Sequence, residues 1–165
     1  MSTFTVSITY TRTVTYVTTK MLLVLKEIIR EIGLDPAKFT DDWESYESAI
    51  STWLSSRHLQ RVTLEIYNPS TGNLEAKWEN DVVYATVGEG TLWVDTAAIR
   101  YFVAKAGLVP STCLYELKLT VSPGAPAVAG WGPASLRSTE GLRRYVVGAT
   151  IGGNGLTAQT AYWSR

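Results

Sequence analysis

The sequence predicts an α+β domain with helices on one face of a mostly antiparallel sheet. Three observations carry this. Apolar residues recur at helical spacing in three stretches, 18–32, 42–59 and 96–106, which requires three amphipathic helices. Period-two alternation marks strands at 3–17 and 61–67, and a further apolar strand, without clean alternation, is read at 113–121. The order of elements is strand, two helices, hairpin, helix, strand, long loop and C-terminal hairpin, which suits antiparallel pairing with the helices gathered on one side. With 165 residues, 45% hydrophobic and 18% charged, the chain is one domain's worth and can bury a core without disulfides or metal.

Phe4, Val6, Ile8 and Tyr10 alternate with Thr and Ser, and Val14 and Tyr16 keep the phase. This predicts a strand over 3–17, with Arg12 marking a break or bulge. Thr18 or Thr19 then caps a helix reaching Ile32, with Met21, Leu22, Leu25, Ile28 and Ile29 on its apolar side, and Gly33 stops it. Residues 34–40, with Pro36, read as a linker. A second helix is expected from Asp42 to Leu59, capped by Thr40 or Asp41. Its stripe of Trp43, Tyr46, Ile50, Trp53 and Leu54 reads as core packing, and Arg57 and His58 suit its C-terminal end.

Residues 61–87 read as a hairpin, with Val62, Leu64 and Ile66 in one phase, Thr63, Glu65 and Tyr67 in the other, Pro69 and Gly72 in the turn, and Trp78 on the return strand. A short loop opens at Gly88–Gly90. Asp95 caps a helix over 96–106 with Ile99, Phe102 and Val103 on one face, ended by Gly107. Residues 113–121 form a strand covered in part on both faces. From Pro123 the texture turns to Pro and Gly, with Val128, Trp131 and Leu136 as the large apolar residues. An irregular stretch of this length inside a compact domain is more often a functional lid than a plain connector. A last hairpin pairs 142–151 with 156–163 through GGNG.

Composition excludes several functions. Fifteen Lys and Arg balance fifteen Asp and Glu, so there is no basic stripe for nucleic acid and no polybasic surface for an anionic membrane. No apolar run is long enough to span a bilayer, and the N-terminus lacks a signal-peptide pattern, so a cytoplasmic location is expected. Cys113 and His58 are each the sole residue of their type, which argues against a disulfide, a zinc site or a catalytic triad. A hydrolase built near His58 has no nucleophile elbow, phosphate loop or paired-His motif behind it. A β-rich virion or tail component would suit the Thr-rich start but not three amphipathic helices and a long lid.

Several segments resemble the HORMA domains. They are RVTLEIYNPSTGNLEAKWENDV with Trp78 on its return strand, AAIRYFVAKAG as the family's third helix, and CLYELKLTVS as its central edge strand. GWGP with Trp131, and LRRYVVGATIGGNGLTAQTAYWSR, stand as its C-terminal "safety belt". The opening TYTRTVTYVTTKMLLVLKEI is similar to bacterial members, which accompany cGAS-like nucleotidyltransferases and a Pch-type AAA+ ATPase in anti-phage signalling operons.

The resemblance implies a non-enzymatic, cofactor-free binding switch with a core of about 1–122 and a mobile belt of about 123–165. A closure-motif peptide would lie against Leu114, Tyr115, Glu116, Leu117, Lys118, Leu119, Thr120 and Val121 and against Ile99, Phe102 and Val103. The belt, with Trp131, Arg137, Tyr145, Val147, Ile151, Tyr162 and Trp163, would close over it. The closed form would activate the nucleotidyltransferase, and the ATPase would reopen it by gripping the N-terminus. A second HORMA protein is a further candidate partner. Because Arg165 follows the last strand directly, the peptide is expected in trans. Lys105 is the one cation of FVAKAG, where checkpoint members carry a dimerising Arg, so that route to dimers is not supported. A self-closed or structural adaptor without a peptide ligand is the alternative.

Physically, a free strand edge takes a peptide by β-augmentation, and a belt over it turns release into local unfolding. On this view residues Ser2–Arg12 are a loosely held handle, and deleting Leu142–Arg165 leaves the core largely folded.

Overall fold

The structure is a computed structural model and describes Thr3, Val6 and residues 8–85 and 90–165. Helix α1 (Tyr10–Glu31) opens the described fold, followed by the one-turn α2 (Ala37–Asp41) and by α3 (Trp43–Ser55). Strands β1 (Leu59–Tyr67) and β2 (Leu74–Tyr84) form a hairpin. A two-residue strand β3 (Trp93–Val94) leads into α4 (Thr96–Ala106), then β4 (Leu114–Val121), β5 (Arg143–Gly153) and β6 (Leu156–Ser164). The strands make one sheet of order β3-β5-β6-β2-β1-β4, antiparallel throughout. This is the predicted α+β architecture, with α2 and β3 added to the expected elements.

The predicted first strand is replaced by helix. Its residues Phe4, Thr5 and Ser7 lie outside the described residues, but from Tyr10 onward the chain is α1. Tyr10, Val14, Val17 and Met21 satisfy a period of 3.6 as well as their neighbours satisfy a period of two. Burial decides between them: Thr13, Val14, Val17, Thr18, Met21 and Leu22 continue one buried stripe. Thr9, not Thr18 or Thr19, is the cap, accepting from the Arg12 backbone N–H, and Thr18 sits buried inside the helix. Thr13 and Thr15 donate their hydroxyls to the carbonyls four residues back, which lets threonine sit in a helix. Gly33 ends the helix with φ +95°, as expected.

The second predicted helix is shorter than its pattern. Asp42 is its N-cap, and it stops at Ser55 because Arg57 turns left-handed at φ +61° and Leu59 is needed, fully buried, in β1. The expected linker contains α2, which follows Pro36 and buries Phe39.

The helices lie on one face of the sheet: α1 packs on α3, α4, β5 and β6, and α3 on β1. Register places Leu64, Trp78 and Tyr162 side by side towards the helices. The other face carries Thr63, Glu65, Lys77, Glu79 and Arg61, most of them buried beneath one another's side chains. The C-terminal hairpin is part of the core. β6 runs between β5 and β2, Tyr162 stacks on Trp78 at 4.6 Å, and Ile151, Leu156, Ala158 and Tyr162 are at most 2% exposed. This placement argues against the expectation that a core lacking Leu142–Arg165 stays largely folded.

Of the expected handle Ser2–Arg12, residues Ser2, Phe4, Thr5 and Ser7 lie outside the described residues, Val6 is exposed, and from Ile8 onward the chain is held. The Tyr10 hydroxyl donates to Leu54 O at 2.7 Å, and the Arg57 guanidinium lies 4.0 Å from the Tyr10 ring centroid. The Asn154 side-chain amide donates to Ile8 O at 2.6 Å, and its backbone N–H donates to Thr13 Oγ1 at 3.0 Å. Gly153 lets the strand approach closely at this junction, because a Cβ there would stand 2.8 Å from Thr13 Cγ2 and from Leu92 Cδ2 and would push both side chains aside.

Candidate functional site: a strap around a free strand edge

Among the described residues β4 is the terminal strand of the sheet and pairs with β1 alone. Its odd residues share the helix-side phase of Leu64 and Ile66. Glu116, Lys118 and Thr120 face the opposite side with Glu65, Thr63 and Arg61. The irregular segment 122–142 wraps around this edge and is fastened on both faces of the sheet.

On the helix face, Trp53 Nε1 donates to Pro126 O at 2.7 Å. Trp131 Nε1 donates to Ser45 O at 3.3 Å, and its ring meets Tyr46 and Trp53 edge-on at 6.1 and 6.0 Å. Tyr46 is kept a neutral phenol, its pKa pushed up to about 12 first by burial and then by the nearby Asp42 carboxylate.

On the opposite face, the fully buried Glu65 carboxylate accepts from the Arg137 backbone N–H at 2.7 Å, from its guanidinium at 2.8 Å and from Lys118 Nζ at 2.6 Å. The same guanidinium reaches both oxygens of Glu116 at 3.2 and 3.3 Å and lies 3.6 Å from the Tyr67 ring centroid. Lys118 also donates to Ser135 O. The Pro/Gly segment between these fastenings carries Ala127, Gly130, Gly132, Pro133 and Ala134, and their small side chains leave room beneath it.

The space enclosed between strap and strand is a groove of about 690 Å³, lined by Tyr115–Val121, by Lys38, Asp42, Tyr46 and Trp53 from the helices, and by 125–136 of the strap. Of the residues expected to meet a peptide, Tyr115, Glu116, Leu117, Lys118, Leu119, Thr120 and Val121 are brought together here. Leu114 lies past the groove's end, half-exposed, and borders a crevice with Gly33, Leu34 and Cys113 instead. Ile99, Phe102 and Val103 are not brought to the groove. α4 packs on α1 and β5, burying Ile99 and Val103, and Phe102 leans on Tyr162. The helix wall of the groove is made by α2 and α3.

Among the belt residues, Trp131 and Arg137 are the two fastenings. Tyr145, Val147, Ile151 and Tyr162 pack towards the core, while Trp163 lies over Lys77 and donates to the buried Glu79. Sequence reading missed Glu65, which sits in the alternating phase that normally faces solvent, and missed the wall role of Trp53 and Tyr46, whose helical stripe reads as core.

The fastening is expected to respond to acid. The Arg137 hydrogen bond chiefly, and then its charge and that of Lys118, hold the Glu116 pKa below the usual carboxylate range, against partial desolvation. A depressed folded-state pKa contributes stability that is present above the unfolded value and is lost as pH falls through the lowered one. Protease cleavage within 123–142 should therefore rise as pH falls below about 4.5, and a Glu116→Gln variant should lose that dependence. Equal pH dependence in both would remove Glu116 from the fastening.

Among the described residues no cluster of His, Cys, Asp and Glu could hold a metal ion, and no helix is long and apolar enough to cross a membrane.

One antiparallel sheet with helices on one face and an irregular segment wrapped around its edge strand defines the class of fold. The chain belongs to the family Bacterial HORMA domain 2, whose profile matches residues 1–165. Solved structures with the same fold include a chain of the mitotic checkpoint complex, at 13% identity and TM-score 0.70, covering 90% of this chain and 97% of that one. HTP-2 of C. elegans, bound to the HIM-3 closure motif, matches at 9% identity and TM-score 0.74, with 97% and 93% covered. The E. coli MS115-1 CdnC:HORMA-deltaN complex matches at 13% identity and TM-score 0.57, with 98% and 93% covered. A sequence comparison with curated proteins finds no match.

Proposed function

We propose that the protein is a peptide-binding switch that holds a closure-motif peptide against the free edge of β4 beneath the 122–142 strap. The observation that carries this is the strap itself, which is fastened on both faces of the sheet around an unpaired strand edge with a groove of about 690 Å³ between them. An incoming strand would gain main-chain hydrogen bonds of about 0.5–1.5 kcal/mol each, a modest affinity. Escape requires at least one fastening to open, which makes release slow. Every residue so placed acts by binding and none by catalysis.

In the closed form the protein would bind and activate a cGAS-like nucleotidyltransferase in anti-phage signalling. The similarity to a HORMA protein solved with CdnC supports that choice of partner. Reopening would fall to a Pch-type AAA+ ATPase gripping the N-terminus. The geometry that supports this route is the junction of Asn154, in the β5–β6 turn, with Ile8 and Thr13. Unwinding the first turn of α1 removes both acceptors and loosens the hairpin tip. Asn154→Ala should therefore speed ATPase-driven release of a bound peptide several-fold while costing about 1–2 kcal/mol of stability. An unchanged release rate in a folded variant would break the proposed coupling.

The binding reading is tested with peptides from proteins encoded beside this one, measured by fluorescence polarisation against the full chain. A complex with a dissociation half-time of minutes or longer is expected. A folded chain that takes none of them would sink it.

A further inference from the structure

We infer that the groove selects a short amphipathic strand of six or seven residues with alternating apolar and polar side chains, anchored by one large apolar residue in the corner between Trp53 and Trp131. This rests on the peptide-binding reading above and specifies the ligand.

Length follows from the strand. The groove-lining run Tyr115–Val121 spans six residue steps, about 20 Å of extended backbone. Alternation follows from pairing. A strand added to β4 continues its pleat, so its side chains point by turns to the helix face and to the opposite face.

The two faces differ in chemistry. Towards the helices lie Leu117 and Leu119 of β4, Trp53 and Tyr46 of α3, and Val128 and Trp131 of the strap, with Lys38 and Asp42 bordering the groove where α2 meets α3, the Asp42 carboxylate accepting from the Tyr46 hydroxyl. Towards the opposite face lie Glu116, Lys118 and Thr120. Glu116 is matched by Arg137, and Lys118 by Glu65 and Ser135 O, so this face holds no unmatched charge of its own to demand a particular ion. An apolar side chain is favoured on the first face and a polar, solvated one on the second.

The anchor position follows from the aromatic corner. The Trp53 and Trp131 rings meet at 80° with 6.0 Å between centroids, and Tyr46 flanks Trp131 on its other side. Both indole N–H groups are already spent on Pro126 O and Ser45 O, and Trp53 is nearly buried, so the corner offers chiefly the half-buried Trp131 ring, hydrocarbon surface without a free donor. The strap over it is rich in Ala, Gly and Pro, which leaves the volume to the ligand.

The test is a bacterial two-hybrid selection in which a random seven-residue library is co-expressed with the full chain, so that folding takes place in the presence of peptide. Selected peptides should carry apolar residues at alternate positions, with Leu, Ile or Phe favoured over Ser by about 10- to 100-fold at one of them. Trp131→Ala also loosens the strap and should weaken binding as a whole, but the apolar-over-Ser ratio at that one position should fall to a few-fold while the ratios at the other positions persist. Selected peptides with apolar residues in one block or at helical spacing, or a Trp131→Ala variant whose preference ratios fall equally at every position, would overturn the inference and leave peptide binding standing. A folded chain that selects nothing would overturn the binding reading itself.

Discussion

Deletion of residues 142–165 is expected to unfold the protein. β6 lies inside the sheet, so the deletion, which takes β5 with it, leaves β2 with an open edge along Lys77–Tyr84 and strips β3 of the strand it pairs with. Trp78 loses the ring stacked on it at 4.6 Å, and Asn80 loses the Thr160 hydroxyl it bonds at 2.6 Å. Burial of Ile151, Leu156 and Tyr162 is worth about 1.5–3 kcal/mol each. Their sum, about 4.5–9 kcal/mol, is comparable to the lower part of the roughly 5–15 kcal/mol that a domain has in all. Far-UV circular dichroism and urea titration would measure this. A truncated chain with a cooperative urea transition near that of the full chain would show that the hairpin is an addition to a self-sufficient core.

That expectation shapes the switch. If the hairpin and the strap exchange between two arrangements, the hairpin has to be housed again, because leaving it free exposes Trp78 and the helix-facing side of the sheet to water. A ligand shifts such an equilibrium only by its difference in affinity for the two states. A remodeller that does work on the chain is one way to cross between states that each bury so much.

The second large effect is expected at the fastening. Arg137→Ala strips the fully buried Glu65 of one of its two cationic partners and deprives Glu116 of its bidentate one. Breaking a buried ion pair by removing one member typically costs 3–5 kcal/mol. Lys118 still neutralises Glu65, so about 3 kcal/mol is expected. Some of this should appear as local opening: faster proteolysis within 123–142 and a peptide off-rate raised by one to two orders of magnitude, while far-UV circular dichroism stays native. Glu65→Gln combined with Arg137→Ala should cost less than the sum of the two, with a coupling of about 1 kcal/mol or more. Additive losses and an unaltered cleavage pattern would mean that the strap is held by Trp131 and Trp53 alone.

The local signals determined much of this protein. Gly33 and Gly107, the Asp95 cap, the hairpin turn with Gly72, and the alternation of Val62, Leu64 and Ile66 each act over a few residues, and each element they predict is present. The Pro/Gly texture from Pro123 set an irregular stretch apart from the flanking strands, and that stretch is irregular in the structure, with Trp131 packed against Tyr46 and Trp53. Three things were decided only by tertiary structure. Residues 10–17 carry a pattern compatible with strand and helix alike, and packing on α3 and the sheet selected the helix. Glu65 alternates as a solvent-facing residue should, yet a segment 72 residues away buries it and pairs with it. Ile99, Phe102 and Val103 form an apolar face whose destination no spacing can specify. The fold turns that face to α1 and β5 and gives the wall of the groove to Tyr46 and Trp53, because which surfaces meet depends on contacts between residues far apart in the chain.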